Sequence, residues 1–291
     1  MILFPNCKVN LGLNITRKRA DGFHDLETIF YPLALNDALE IIQSPNAAVE
    51  ESYSSFPAIM QGPFKFDDVE FSSSGLNIQG DPSHNLCIRA YQLLKKDFPT
   101  LPPIKMHLHK TIPMGAGLGG GSSDGAFALK LLNQKFNLGL SNNVLQQYAL
   151  QLGSDCPFFI LNTPCIARGR GELLQPMSLD LSGWHFLLVH PSIHVSTADA
   201  FSSIIPAEPA ESIEQIIKLP PVQWKNSLKN DFEAPVFKRF PELAAIKQSL
   251  YDHGASYASM SGSGSSLYGI FSSKPTAAAE ALGKKYTVSV L

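Results

Sequence analysis

Cysteine is scarce in this 291-residue sequence. Cys7, Cys87, Cys156 and Cys165 show neither C-x-x-C spacing nor the density of a disulfide scaffold, which suits a reducing compartment and predicts a cytoplasmic protein. Long apolar runs are missing too. No stretch approaches about 18 uninterrupted apolar residues, and Met1-Ile-Leu-Phe-Pro5 has no basic lead, so neither a membrane span nor a signal peptide is expected. Charge of one sign is also missing. With 23 Lys and Arg against 25 Asp and Glu, the net charge of −2 gives no global attraction to nucleic acid or to anionic lipid. Any anionic ligand must be captured by local groups. There is no internal repeat and no low-complexity tract, and the length suits two modest domains better than one.

The first half of the chain reads mostly as strands. Cys7–Ile15, Phe23–Leu35, Ala38–Gln43 and Val69–Ser73 carry β-branched or aromatic residues between turn signals. Asn85–Phe98 has Leu86, Ala90, Leu93 and Leu94 at helical spacing. In Ile104–Ile112, Ile104, Met106 and Leu108 alternate with Lys105, His107 and His109, which predicts a strand with one wet face. Helices are expected over Ser122–Phe136, Asn142–Leu152, Glu211–Lys218 and Glu242–Tyr251. Strands are expected at Phe158–Leu161, Cys165–Arg168 and Phe186–Val189, and on either side of a glycine-serine turn within Tyr257–Phe271. Ser44–Asp68, with three prolines and no sustained period, reads as a long loop. The class is α+β, with two lobes and a cleft between them, divided near residue 160.

The most informative segment runs from Pro113 to Asp124. Five glycines in the seven positions 115–121 let successive N–H groups turn inward as an anion nest, and the helix that follows adds its positive end. A plain tight turn would need neither the extra glycines nor the paired Ser122 and Ser123. Phosphate is the natural guest. A Walker loop requires a lysine at its end, and none is there. A dinucleotide fold requires a continuously apolar strand before the loop and an acidic residue about 20 positions on; the strand alternates, and no Asp or Glu occurs between Asp124 and Asp155. The H-R-D and D-F-G sequences of protein kinases are absent. A nucleotide loop of another type remains.

This loop resembles the second motif of the GHMP kinases, the superfamily of galactokinase, homoserine kinase, mevalonate kinase and phosphomevalonate kinase. Lys8-Val-Asn-Leu-Gly-Leu-Asn14 is similar to their N-terminal motif, and Ala258-Ser-Met-Ser-Gly-Ser-Gly-Ser-Ser-Leu267 to their C-terminal one. A finer likeness is carried by Arg19-Ala-Asp-Gly-Phe-His-Asp-Leu-Glu-Thr28, His84-Asn-Leu86, Leu152-Gly-Ser-Asp-Cys-Pro157, Gly169-Arg-Gly-Glu172 and Asn230-Asp-Phe-Glu233. It points to the branch whose acceptor is a methylerythritol bearing a cytidine diphosphate group, in the non-mevalonate route to isoprenoids. A kinase of the homoserine or mevalonate type is the alternative.

The resemblance implies a two-domain fold with a deep cleft, 1–160 binding ATP and 161–291 forming the C-terminal domain. ATP, with Mg2+, would be held by Pro113, Met114, Gly115, Ala116, Gly117, Leu118, Gly119, Gly120, Gly121, Ser122 and Ser123, with Asn85 on the adenine side. Asp155 would take the acceptor's proton, and Lys8 would polarise the hydroxyl and keep Asp155 ionised. Asn10 would orient the substrate or that pair. Phe23 and His24 would meet the cytidine end, and Phe201 would stack on cytosine. Each has a plainer reading: Asp155 as a helix cap, Lys8 as solvated surface, Phe23 and Phe201 as core. Phe23 stands where this branch often has tyrosine, which keeps the ring face and removes the phenolic hydrogen bond. His107 and His109 share a strand face, but no third ligand is near in sequence, so no metal site is expected there.

Overall fold

The computed structural model describes residues 1–44, 62–78 and 80–291. In chain order the first elements are β1 (Ile2–Leu3), β2 (Asn6–Lys18), β3 (His24–Asn36), β4 (Ala38–Gln43), β5 (Phe64–Phe66), β6 (Val69–Gly75), α1 (Leu86–Asp97) and β7 (Ile104–Lys110). Helices α2 (Gly120–Lys135), α3 (Asn142–Leu152) and α4 (Cys156–Leu161) follow. Then come β8 (Cys165–Arg168), β9 (Leu173–Pro176), β10 (His185–His190), α5 (Thr197–Ser202), α6 (Ile213–Ile216), α7 (Glu233–Arg239), α8 (Pro241–Asp252), β11 (Tyr257–Met260), β12 (Leu267–Phe271), α9 (Thr276–Gly283) and β13 (Thr287–Val290).

These elements form two compact units. One comprises Met1–Cys7, Leu35–Met114 and Gly119–Asn162; the other comprises Lys8–Ala34, Gly115–Leu118 and Thr163–Leu291. The first contains a five-stranded sheet in the order β1-β4-β7-β6-β5, antiparallel except for β6 and β7, which are parallel and joined through α1. A parallel pair needs such a crossover, because a tight hairpin cannot return the chain to the same edge. Leu39, Ile41, Val69, Phe71, Ile104, Met106 and Leu108 fill one face of this sheet, whereas Glu40 and His109 are exposed on the other. The alternation read in β7 is therefore real. The strand stops at Lys110, two residues short of the expected Ile112, and Lys110 takes its last inward position and is 1% exposed.

The second unit holds two four-stranded sheets, β11-β12-β10-β13 and β2-β3-β8-β9. Its core gathers Leu13 and Ile15 with Leu187, Val189, Phe232, Leu243, Ile246 and Leu250. β11 and β12 pair from Met260–Leu267 outward, leaving 261–266 as the turn between them.

Several expectations need correction. Phe158–Leu161 is helical, within α4, not a strand. A four-residue apolar run has no readable period, and Pro157 at the start of the helix and Asn162 in the left-handed region at its end decide the conformation. The helix expected over Glu211–Lys218 is reduced to Ile213–Ile216, started by the Ser212 side chain on Glu214 N. Helix α2 begins at Gly120, two residues before Ser122. The expected loop at Ser44–Asp68 contains β5; its residues 45–61 lie outside the described residues.

Candidate active site

In the first unit the site is built around the start of α2. Gly119 precedes the helix with φ of 70°, a left-handed conformation that glycine adopts without the strain a side chain would bring. Gly120 then lies so close to the end of β7 and the residues after it that a Cβ there would sit 2.8 Å from Ile112 Cγ2 and 3.0 Å from Lys110 Nζ. Gly121 faces open space instead. The first turn leaves backbone N–H groups without helical partners, and these with the helix dipole favour an anion. Ser123 is wholly buried, and its hydroxyl has no hydrogen-bond partner. Ser122 is half-buried and hydrogen-bonded to the Cys156 thiol.

Beneath this turn lies a charged cluster that the sequence reading missed. Lys110 Nζ donates to Asp124 Oδ2 at 2.8 Å and also to Asp37 Oδ2. Asp37 Oδ1 in turn accepts from Thr111 N at 2.5 Å and Ile112 N at 2.9 Å, which fixes the exit of β7. Asp124 Oδ1 has no partner. Burial pushes the Asp124 carboxyl up to about 7, with Asp37 adding to the shift and Lys110 opposing it. For Lys110 burial acts downward, but the two carboxylates outweigh it and the ammonium is held above its ordinary value. The available signal was the strand's own phase: a lysine in line with Ile104, Met106 and Leu108 has to find anionic partners inside.

A cavity of about 350 Å³ opens beside this cluster, lined among others by Ile78, Asn85, Leu108, Lys110, Met114 and Gly121. Asn85 caps α1, accepting from Cys87 N at 2.9 Å, and borders the cavity from there. Asp155 holds the position preceding α4, yet its side chain makes no capping bond to that helix.

In the second unit Lys8, Asn10 and residues 115–118 meet the C-terminal glycine-serine turn. Lys8 is 3% exposed, so it is not solvated surface. Its Nζ donates to Asn10 Oδ1 at 2.6 Å and lies 4.6 Å from the centre of the Phe30 ring. Asn10 Nδ2 donates to Thr28 Oγ1 at 3.0 Å, and the Thr28 hydroxyl donates to Gly12 O at 2.5 Å. The glycine loop is anchored by Lys8 N on Leu118 O at 3.0 Å and Ser266 N on Ala116 O at 3.1 Å. Ser261 Oγ donates to Gly117 O at 2.7 Å and accepts from Asn10 N at 3.3 Å. Gly117 is required here: its φ is 77°, and a Cβ would stand 2.0 Å from Ser261 O.

The aromatic residues divide. Phe23 is 54% exposed, with the Arg170 guanidinium 4.8 Å from its ring centre. His24 stacks on Phe201 at 5.0 Å and 18°, while Phe201 meets the buried Phe232 edge-on at 4.8 Å and 89°. Phe201 thus packs against the core of its unit, and His24 covers part of it. On the outer face of the first unit's sheet, the two ring nitrogens of His107 pair with Ser72 and Ser74 at 2.8 and 2.9 Å.

Residues 85–163 match the family profile of the GHMP kinases N terminal domain, and residues 211–288 that of the GHMP kinases C terminal. Both halves therefore carry the signature of an ATP-dependent small-molecule kinase class. A 4-diphosphocytidyl-2-C-methyl-D-erythritol kinase of Bacteroides thetaiotaomicron is 51% identical, covering 95% of this chain and 94% of the relative. Its counterpart from Cytophaga hutchinsonii is 45% identical, covering 94% of each. A crystal structure of 4-(cytidine 5'-diphospho)-2C-methyl-D-erythritol kinase superposes with a TM-score of 0.80 at 30% identity, over 100% of this chain and 98% of that one. Homoserine kinase from Cytophaga hutchinsonii, at 16% identity and a TM-score of 0.65 over 99% and 94%, shares the fold alone. The chain belongs to the 4-diphosphocytidyl-2-C-methyl-D-erythritol kinase family of GHMP kinases. No helix among the described residues is long and apolar enough to cross a membrane.

Proposed function

We propose that this chain transfers the γ-phosphoryl group of ATP to the 2-hydroxyl of 4-(cytidine 5'-diphospho)-2-C-methyl-D-erythritol, giving the 2-phosphate and ADP in the methylerythritol phosphate route to isoprenoid precursors. The observation that carries this reading is the likeness to the Bacteroides kinase across nearly the whole of both chains. The test is ADP release with the cytidine substrate, homoserine and mevalonate offered separately. Turnover with the first and not the others is expected; turnover with homoserine or mevalonate alone overturns the assignment.

Phosphoryl transfer asks mainly for positioning, charge neutralisation and a group to receive the hydroxyl proton. Residues 113–123 would cradle the triphosphate, with Gly121 facing its oxygens and Asn85 on the adenine side of the cavity. Lys8 would polarise the acceptor hydroxyl. Its desolvated ammonium, steered by Asn10, is suited to that task. Asp155, which immediately precedes α4, would take the proton. Phe23, His24 and Phe201 would form the cytidine end. Mg2+ bound to ATP would neutralise phosphate charge. The half-buried Ser122 fits such an ion better than Ser123, whose hydroxyl is sealed inside. Cytoplasmic residence fits four buried cysteines that form no disulfide among the described residues.

A further inference from the structure

Asn230 lies 30 residues before Met260, the last residue of β11 ahead of the glycine-serine turn, and is itself 4% exposed. Its side-chain amide donates to two carbonyls, Met260 O at 2.8 Å and Gly262 O at 2.9 Å. These carbonyls flank Ser261, so one amide group grips the backbone on both sides of that residue. The Asn230 side-chain oxygen is used as well, accepting from Phe232 N at 3.0 Å. Glu233 holds the same strand from the next helix, its Oε1 accepting from Met260 N at 2.9 Å and from the Ser259 hydroxyl at 3.0 Å. Asn230 is not free to follow the turn. Leu13 N donates to Lys229 O at 2.8 Å and Asp231 N to Leu13 O at 2.9 Å, binding its backbone to β2 three residues beyond Asn10.

Ser261 is where this grip reaches the reaction. Its hydroxyl joins Gly117 O of the phosphate loop to the backbone N–H of Asn10, whose side chain holds Lys8. Tyr268 OH adds a bond to Asn10 O at 2.7 Å. Resting on the kinase reading above, we infer that Asn230 is a positioning residue for phosphoryl transfer: through Ser261 it sets the phosphate loop at Gly117 and the Lys8–Asn10 pair in one register. A hydroxyl that must serve two partners tolerates little displacement, and a misplacement of about 1 Å far from the reacting atoms can cost on the order of 100-fold in rate.

The test is a double-mutant cycle of Asn230→Ala and Ser261→Ala, with kcat measured under saturating substrates, alongside backbone hydrogen exchange of the unliganded protein. Each single variant is expected to lose roughly 10- to 100-fold in kcat, and the double variant to fall close to the worse single one, because both remove the same link. Exchange should quicken in peptides covering residues 8–12 and 115–118 and stay unchanged over α1 and α3. Effects on kcat that multiply, or unchanged exchange at 8–12 and 115–118, would overturn the inference. If Asn230→Ala does not fold, Asn230→Ser takes its place in both measurements and the same outcomes decide. The exchange arm needs no turnover, so failure of the kinase reading and failure of this one are told apart.

Discussion

Lys110 and Asp124 meet at 2.8 Å with side chains 1% and 5% exposed, and Asp37 shares the same ammonium, so one cation and two carboxyl groups occupy the interior beneath the first turn of α2. Ions taken out of water are costly unless paired and hydrogen-bonded. Asp37 is well supplied, but one oxygen of Asp124 is not. The consequence is a carboxyl group that keeps its proton to about 7, against an ordinary 3.8.

This makes stability depend on pH in a definite direction. Between about pH 4 and pH 7 the folded chain holds a proton at Asp124 that the unfolded chain has lost, so this contribution is present at the acid end and lost as pH rises through the window. Asp124→Asn keeps the shape and has no such proton. The thermal midpoint of the variant relative to the native chain is expected to rise steadily from about pH 4.5 to 7.5 and to level off above. A difference that does not change with pH would mean that Asp124 is ionised throughout.

Gly121 offers a direct probe of the phosphate cradle. A Cβ at this position meets nothing within 4 Å, and its place in the first turn of α2 suits alanine, so Gly121→Ala should leave the fold as stable as before. If phosphate oxygens approach that backbone, the methyl group stands in their way. ATP affinity measured by calorimetry is expected to fall at least tenfold, about 1.4 kcal/mol, with an unchanged thermal midpoint. Unaltered affinity would move the triphosphate away from Gly121.

Asp155→Asn separates proton transfer from binding. The amide keeps the size and cannot accept the hydroxyl proton, so turnover should drop by about 10² or more while ATP affinity changes little. Lys8→Met should behave similarly in turnover, though its loss also leaves Asn10 Oδ1 without its 2.6 Å donor. Near-normal turnover in folded Asp155→Asn would place the base elsewhere.

Much of this was legible in the sequence because it is local. The glycine loop, the alternation along β7 and the helices over 85–98, 122–136 and 142–152 all follow from spacing within a dozen residues. Two kinds of feature were not legible. Phe158–Leu161 was misread because a short apolar run serves helix and strand equally well. The Lys110–Asp37 and Asn230–Gly262 pairs join positions 73 and 32 residues apart, and no local pattern names the partner. Lys110 still left a trace, an ionisable residue at an inward position of its strand. Asn230 left none beyond its motif.

The cytidine end is where the structure most changes the expectation. Phe201 was the first choice as the stacking platform, but it is engaged by the Phe232 edge and by the His24 ring. Phe201→Ala should therefore lower stability as well as substrate affinity, since it removes a ring packed against the core. Phe23 has more than half its surface exposed, and its neighbour is a guanidinium rather than a hydrophobic cluster. Its removal should cost little in stability. Base–aromatic stacking is worth about 1–3 kcal/mol, so Phe23→Ala is expected to raise the KM for the cytidine substrate by roughly ten- to a hundredfold, with ATP affinity and thermal midpoint unchanged. The comparison is read by melting each variant with ATP and with the cytidine substrate separately. Loss of stabilisation by the cytidine substrate alone in Phe23→Ala assigns the base to that ring. If Phe23→Ala binds both ligands normally while Phe201→Ala loses only the cytidine substrate, the His24 ring must swing off Phe201 on binding, and the platform is Phe201 after all.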